Sequence, residues 1–216
     1  MNASFRLRAG ALTGTALDGP LLYARSRAVP RALAALLATA ALAVWAADGL
    51  DAYLDPERRV PVVALAPLFG AAVIGTSLHS ASEELDRTAV SPWWRWRLVH
   101  LLALTGLMAA LLSVAVLGHT SVFGPPAMIR NALGSTGLTA AVAALLGARL
   151  SWLPAFGYVS AVYLGSAGAH GRSSTVWAWP VQPGGGTGAW TAAASVFVVG
   201  GALYVVRGAR GEGPRA

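Results

Sequence analysis

The chain has 216 residues, 56% of them hydrophobic and only 12% charged, with a formal net charge of +7 and no cysteine. A soluble domain carries about twice that charged fraction, which speaks against one here. The missing cysteines exclude disulfides and thiolate-held metal.

Residues 1–31 form a basic arm in which Leu12, Ala16, Leu21 and Leu22 lie among polar residues. Gly10, Gly14, Gly19 and Pro20 interrupt any continuous helix there. The arm reads equally as a loosely ordered positive tail or as a short interfacial helix on an anionic leaflet. Six apolar runs follow: Ala32–Ala47, Val60–Leu78, Leu98–Leu117, Ala127–Ala148, Trp152–Gly168 and Trp190–Val206. A hydrocarbon core of about 30 Å calls for about 20 apolar residues, so residues 32–206 read as one transmembrane domain. The first run starts late and lacks a cleavage site, unlike a signal peptide. Residues 207–216 make a basic tail.

All sixteen basic residues are Arg, which with abundant Ala and Gly fits a high-GC coding bias. Twelve fall on one side of an alternating topology: Arg6, Arg8, Arg25, Arg27, Arg31, Arg87, Arg95, Arg97, Arg149, Arg207, Arg210 and Arg215. Four fall on the other: Arg58, Arg59, Arg130 and Arg172. The positive-inside bias then puts both termini in the cytoplasm and accounts for the net charge without nucleic acid. Trp93, Trp94, Trp96, Trp152 and Trp190 stand at headgroup-level positions. The fold expected is all-α and polytopic, with six transmembrane helices in a plasma membrane.

Between the second and third runs, Ser80 and Glu83 have capping-box spacing, which predicts a helix beginning near Ala81. Glu83, Glu84 and Asp86 crowd its first turns, where the helix dipole favours negative charge, and Arg87 follows them. Ser91 and Pro92 then read as an N-cap and first-turn proline that restart a helix into the third run. The result is a short charged cytoplasmic helix between helices two and three. On the far side, Asp48, Asp51, Asp55 and Glu57 make the first external loop acidic. The last external loop, residues 169–189, carries Trp177, Trp179, Pro180 and Gly184–Gly186; such a loop can rest its indoles on the interface, and the reading preferred to that is a solvated link with a flexible glycine hinge.

Motifs for chemistry are few. With no Lys a phosphate-binding P-loop is excluded, and neither H-E-x-x-H nor G-x-S-x-G occurs. His100 and His119 are nineteen residues apart, about 28 Å on a helix, which places both at water boundaries and argues against buried haem. No cofactor is expected in this chain. Arg130 intrudes at the start of the fourth run, near the outer surface, where snorkelling is the expectation; with Asn131 it offers an outer-side contact for an anionic headgroup or substrate. Paired glycines recur inside the runs at Gly70 and Gly75, Gly134 and Gly137, and Gly200 and Gly201, where small residues let backbones approach.

The stretch Ser82-Glu83-Glu84-Leu85-Asp86-Arg87-Thr88-Ala89 with Pro92, Arg95, Arg97 and His100, and Trp177-Ala178-Trp179-Pro180 before the last run, resembles small permeases of ABC-2-type ATP-binding-cassette exporters from high-GC bacteria. The layout is similar as well. The resemblance implies a permease subunit without enzymatic activity of its own, a second permease chain, and separate ATPase subunits that bind ATP. It makes the helix carrying Glu83, Glu84, Asp86 and Arg87 the element that couples to the ATPase, and the bacterial plasma membrane the location. The chain is short for that family, and it has Gly and Pro in the last external loop where many members have short re-entrant helices. The alternative is a non-transporting membrane scaffold or regulatory subunit of a larger complex.

Overall fold

The computed structural model describes residues 28–51, 60–79, 93–117, 123–165 and 172–211. The arm before Ala28, the segment with Glu83, Glu84, Asp86 and Arg87, and the tail after Gly211 lie outside the described residues. Within them the chain is helical and has no strand: α1 Val29–Asp51, α2 Val60–Ser77, α3 Trp93–Ala115, α4 Pro125–Leu146, α5 Trp152–Gly165, α6 Arg172–Trp177, a 3-10 turn Trp179–Val181, and α7 Thr187–Arg207.

Four of these helices, α1, α3, α4 and α7, are long and apolar enough to cross a membrane. The expected second and fifth spans are shorter. Over its 14 residues α5 reaches about 21 Å at 1.5 Å per residue, against a hydrocarbon core of about 30 Å. Elsewhere the helices overrun the apolar runs. α3 begins at Trp93, directly after Pro92, so Trp93 to Arg97 are already helical. Pro125 and Pro126 open α4, where the missing N–H groups are lost without cost. Gly147 (φ 106°) and Gly208 (φ 78°) close α4 and α7 in the left-handed region that only glycine enters freely.

The layering is inside-out relative to a water-soluble bundle. Leu42, Trp45, Phe69, Val99, Val114, Leu164, Val198 and Val206 face outward. Such a belt of exposed apolar side chains suits contact with lipid and would aggregate in water. Polar residues inside the helices turn back on their own backbones: Thr39 Oγ1 donates to the Ala35 carbonyl (2.8 Å), Thr105 Oγ1 to Leu101 (2.6 Å) and Ser113 Oγ to Ala109 (2.6 Å). Water is not needed to satisfy them.

Helix α4 is the hub. In its most apolar stretch 67% of residues are buried, against 22% in α1, 39% in α3 and 33% in α7. It packs on α7, α2, α3 and α5. Its closest partner is α7, and the reason is a pair of glycines. A methyl group at Gly137 would lie 2.6 Å from the Phe197 amide nitrogen, and one at Gly200 2.8 Å from the Gly137 carbonyl carbon. The two backbones touch, with no room for any side chain between them. Gly70 and Gly75 serve similar contacts, the first under Met108 and the second under Ser151 and Thr139.

One end of the bundle gathers the start of α1, the end of α2, the start of α3, the end of α4, the start of α5 and the end of α7. Ser77 Oγ lies 3.1 Å from His100 Nε2, and Arg210 Nη1 donates to the Leu145 carbonyl at 3.1 Å. Arg31 lines a cleft with Thr76 and Ser77. Arg31, Arg95, Arg97, Arg149, Arg207 and Arg210 thus share this end, while Arg130 and Arg172 belong to elements at the other.

The α4–α7 contact makes a prediction. Gly137→Ala and Gly200→Ala should each lower stability by about 1–3 kcal/mol through overpacking. Gly106→Ala, in open space, should not. Thermal unfolding of the three variants in one detergent checks the contrast.

Candidate functional site

The most constrained polar cluster lies at the opposite end, where α4 begins. Between α6 and α7 the chain cannot stay helical, because Pro180 and Pro183 lack N–H groups and Gly184, Gly185 and Gly186 follow them. Local amides serve the Ala178 and Trp179 carbonyls, but those of Pro180 and Gln182 need donors from elsewhere. Arg130 supplies two: Nη1 donates to the Pro183 carbonyl at 2.6 Å and Nη2 to the Gln182 carbonyl at 2.7 Å. Its Nε donates to Asn131 Oδ1 at 3.1 Å. Asn131 Nδ2 then donates to the Pro180 carbonyl at 2.7 Å.

The second Nδ2 hydrogen reaches the Val63 carbonyl at 2.9 Å. That bond has a cause in sequence. Pro67 sits inside α2, four residues after Val63, and has no N–H to give to that carbonyl. Asn131 replaces the missing helical donor, so one side chain joins α4 to α2 and to the connection before α7.

The connection is also held by packing. Trp179 is 3% exposed and lies over Gly134, whose missing side chain leaves room for the indole: a methyl there would come within 2.7 Å of Trp179 Cζ2. The Tyr158 ring stands 6.1 Å from that of Trp179, and its hydroxyl donates to the Trp177 carbonyl. Trp190 Nε1 donates to the Gly184 carbonyl at 2.8 Å, tying the glycine run to the first turn of α7.

Two expectations are corrected here. Arg130 does not snorkel; it is fully buried, because the connection folds back over the start of α4 and offers it carbonyls. Nor is the connection a solvated link throughout: Trp179 and Pro180 are inside the bundle, while Trp177, Pro183 and Gly185 stay exposed. The outer-side contact expected of Arg130 and Asn131 is thus occupied, in this structure, by the chain's own backbone. Two hydroxyls near this hub, Thr136 Oγ1 and Thr139 Oγ1 on α4, are buried and have no hydrogen-bond partner.

The other expected site, Glu83, Glu84, Asp86 and Arg87, lies outside the described residues. Of the histidines, His79 is exposed, His100 is buried beside Ser77, and His119 and His170 are outside the described residues. No group of three or more His, Cys, Asp or Glu that could hold a metal occurs among the described residues. The dependence of Asn131 on Pro67 is the feature that sequence reading missed. A proline inside an apolar run announces an orphaned carbonyl four residues earlier, although it does not say which side chain fills it. Searches of protein-family models, characterised proteins and solved structures found no match to this chain.

Two substitutions test the clamp. Asn131→Leu removes the donor to two buried carbonyls and should cost about 2 kcal/mol or more. In a Pro67→Ala background the regained N–H can serve Val63, so the same change should cost measurably less; a double-mutant cycle of unfolding midpoints in detergent reads the difference. Arg130→Met takes the guanidinium donors from the Gln182 and Pro183 carbonyls, leaving Pro183 only the long bond from the Gly186 amide (3.5 Å), and should release the connection, detectable as increased exposure of Trp179 to an aqueous fluorescence quencher.

Proposed function

We propose that the chain is the permease subunit of an ATP-binding-cassette exporter of the ABC-2 type. On this reading it spans a bacterial plasma membrane six times with both termini in the cytoplasm, pairs with a second permease chain, and is driven by separate ATPase subunits that carry the ATP. The observation that carries the reading is the connection before the last long helix. The resemblance in sequence calls for short re-entrant helices at that place, and here two short helical pieces stand there, α6 with Val176 and Trp177 exposed and the 3-10 turn buried against Arg130 and Asn131.

Two further features support it. The described arginines at one end of the bundle, from Arg31 to Arg210, give the bias expected of a cytoplasmic face. The segment with Glu83, Glu84, Asp86 and Arg87 joins α2 to α3, and both of those helices pack on the hub α4. A push delivered to that segment by an ATPase would reach α4 through two helices at once, as a rigid-body displacement requires. Arg130 and Asn131 act in this scheme by fixing the outer connection, so that motion at one end is transmitted and not absorbed.

Reversing the charge of Glu83, Glu84 and Asp86 together should abolish stimulation of the ATPase while membrane insertion stays normal. Normal stimulation by the triple variant in a purified complex would sink the permease assignment. Isolation of a stable complex without any ATPase would favour the scaffold reading instead.

A further inference from the structure

At the arginine-rich end, a half-open cleft of about 370 Å³ lies between the ends of α4 and α7 and the first turns of α3. Its lining includes Arg97, Arg207 and Arg210, with Ala144, Gly208 and Ala209. We infer that this cleft is a binding site for a phosphate-bearing anion, with the phosphate of an anionic phospholipid headgroup as its natural occupant. The inference does not depend on the transport reading; it needs only a helical bundle in a membrane.

Three observations carry it. The first is Arg97. It is 8% exposed, it borders the cleft, and its guanidinium makes no hydrogen bond or ion pair among the described residues. Its stem is packed while its guanidinium opens onto the cleft with its donors unused, and phosphate oxygens are the acceptors that planar fork fits best. The second is the shape of the backbone beneath it. Gly208 closes α7 with φ 78°, and a methyl there would lie 2.9 Å from Arg97 Cζ, so the glycine lets the guanidinium rest against the helix end, facing the cleft.

The third is the balance of charge. The C-termini of two helices, α4 and α7, border the cleft and contribute roughly half a negative charge each. Three guanidinium groups exceed that by about two charges. Arg210 gives one donor to the Leu145 carbonyl at the end of α4. Among the described residues no carboxylate lies at this end, the two acidic ones being Asp48 and Asp51 at the other end of α1. Arg207 and Arg210 are exposed and lie at the mouth, while Arg97 forms the back wall. Basic recesses between helices at a membrane surface are suited to headgroups, whose acyl chains can lie along the apolar faces, here the exposed Val206 on α7 and Leu145 and Leu146 on α4.

The test uses the full chain purified in a neutral detergent and titrated with dioleoyl phosphatidylglycerol, with dioleoyl phosphatidylcholine, and with inorganic phosphate. Bound lipid is counted by native mass spectrometry and stability is followed by thermal unfolding. The wild type should retain phosphatidylglycerol in preference to phosphatidylcholine. The double variant Arg207→Gln/Arg210→Gln, altered only at exposed positions, should bind it about tenfold more weakly. Arg97→Lys keeps the charge but loses the fork, and should also weaken binding. If inorganic phosphate alone stabilises the wild type, and the double variant loses that effect, a free phosphate fills the site as well as the headgroup does. The proposal is overturned if the wild type shows no preference for phosphatidylglycerol and no response to phosphate, or if the folded double variant binds both as the wild type does.

Discussion

A carbonyl oxygen shut away from water has to find a donor, and this bundle contains two places where the helix cannot provide one. The first is Val63, orphaned by Pro67. The second is the stretch from Pro180 to Pro183, where prolines and glycines end helical pairing. Both are answered from the first two turns of α4, by Asn131 and Arg130. An unpaired buried acceptor costs about 1–3 kcal/mol, so the buried carbonyls of Val63 and Pro180 alone would take a large share of a typical domain's stability if left without Asn131. The guanidinium itself is expensive to bury, and a well-packed apolar substitute with a differently folded connection could be no less stable. What the pair provides is selection: only one placement of the connection puts the carbonyls of Pro180, Gln182 and Pro183 within reach of donors on adjacent residues.

Packing reinforces that selection through absent side chains. Gly134 makes the recess in which Trp179 lies, and Gly137 with Gly200 brings α4 and α7 into backbone contact three residues further on. The connection and the helix that follows it are therefore registered against the same face of α4, one by hydrogen bonds and the other by close approach. Because α4 also meets α2, α3 and α5, a displacement of any of them is felt at the hub. The peripheral helices keep wide apolar faces, such as Leu37, Leu42 and Trp45 on α1, which suit lipid.

Local signals in the sequence were enough for the outer frame. Apolar runs and their flanking prolines and glycines located every long helix, because length, apolarity and capping are properties of neighbouring residues. At α3 the helix starts at Trp93, where the Ser91-Pro92 signal put it, so the tryptophan and arginine cluster is helical. Arg130 was misjudged for a different reason. Snorkelling assumes that nothing lies above the helix end, and what lies above α4 is a segment about 50 residues later, brought there by tertiary folding. The same distance hid the Asn131–Val63 bond, which spans 68 positions. The charged segment around Glu84 falls outside the described residues, so its legibility rests on capping pattern alone.

Arg130 and Arg97 show how far surroundings decide what one residue type does. Near Arg130 the backbone is broken by proline and glycine, leaving the Gln182 carbonyl without a backbone donor and that of Pro183 with only a long bond from the Gly186 amide, and the guanidinium is drawn into them. Near Arg97 the helices end differently. Gly147 returns its amide to the Ala143 carbonyl at 3.1 Å, and Gly208 returns its own to Tyr204 at 2.7 Å, so the helix ends largely satisfy themselves. The Leu145 carbonyl there draws on Arg210, and none among the described residues draws on Arg97. A guanidinium held there by packing keeps its donors for something that comes from outside the chain, and the difference between a structural arginine and a binding one is then set by the backbone it stands beside.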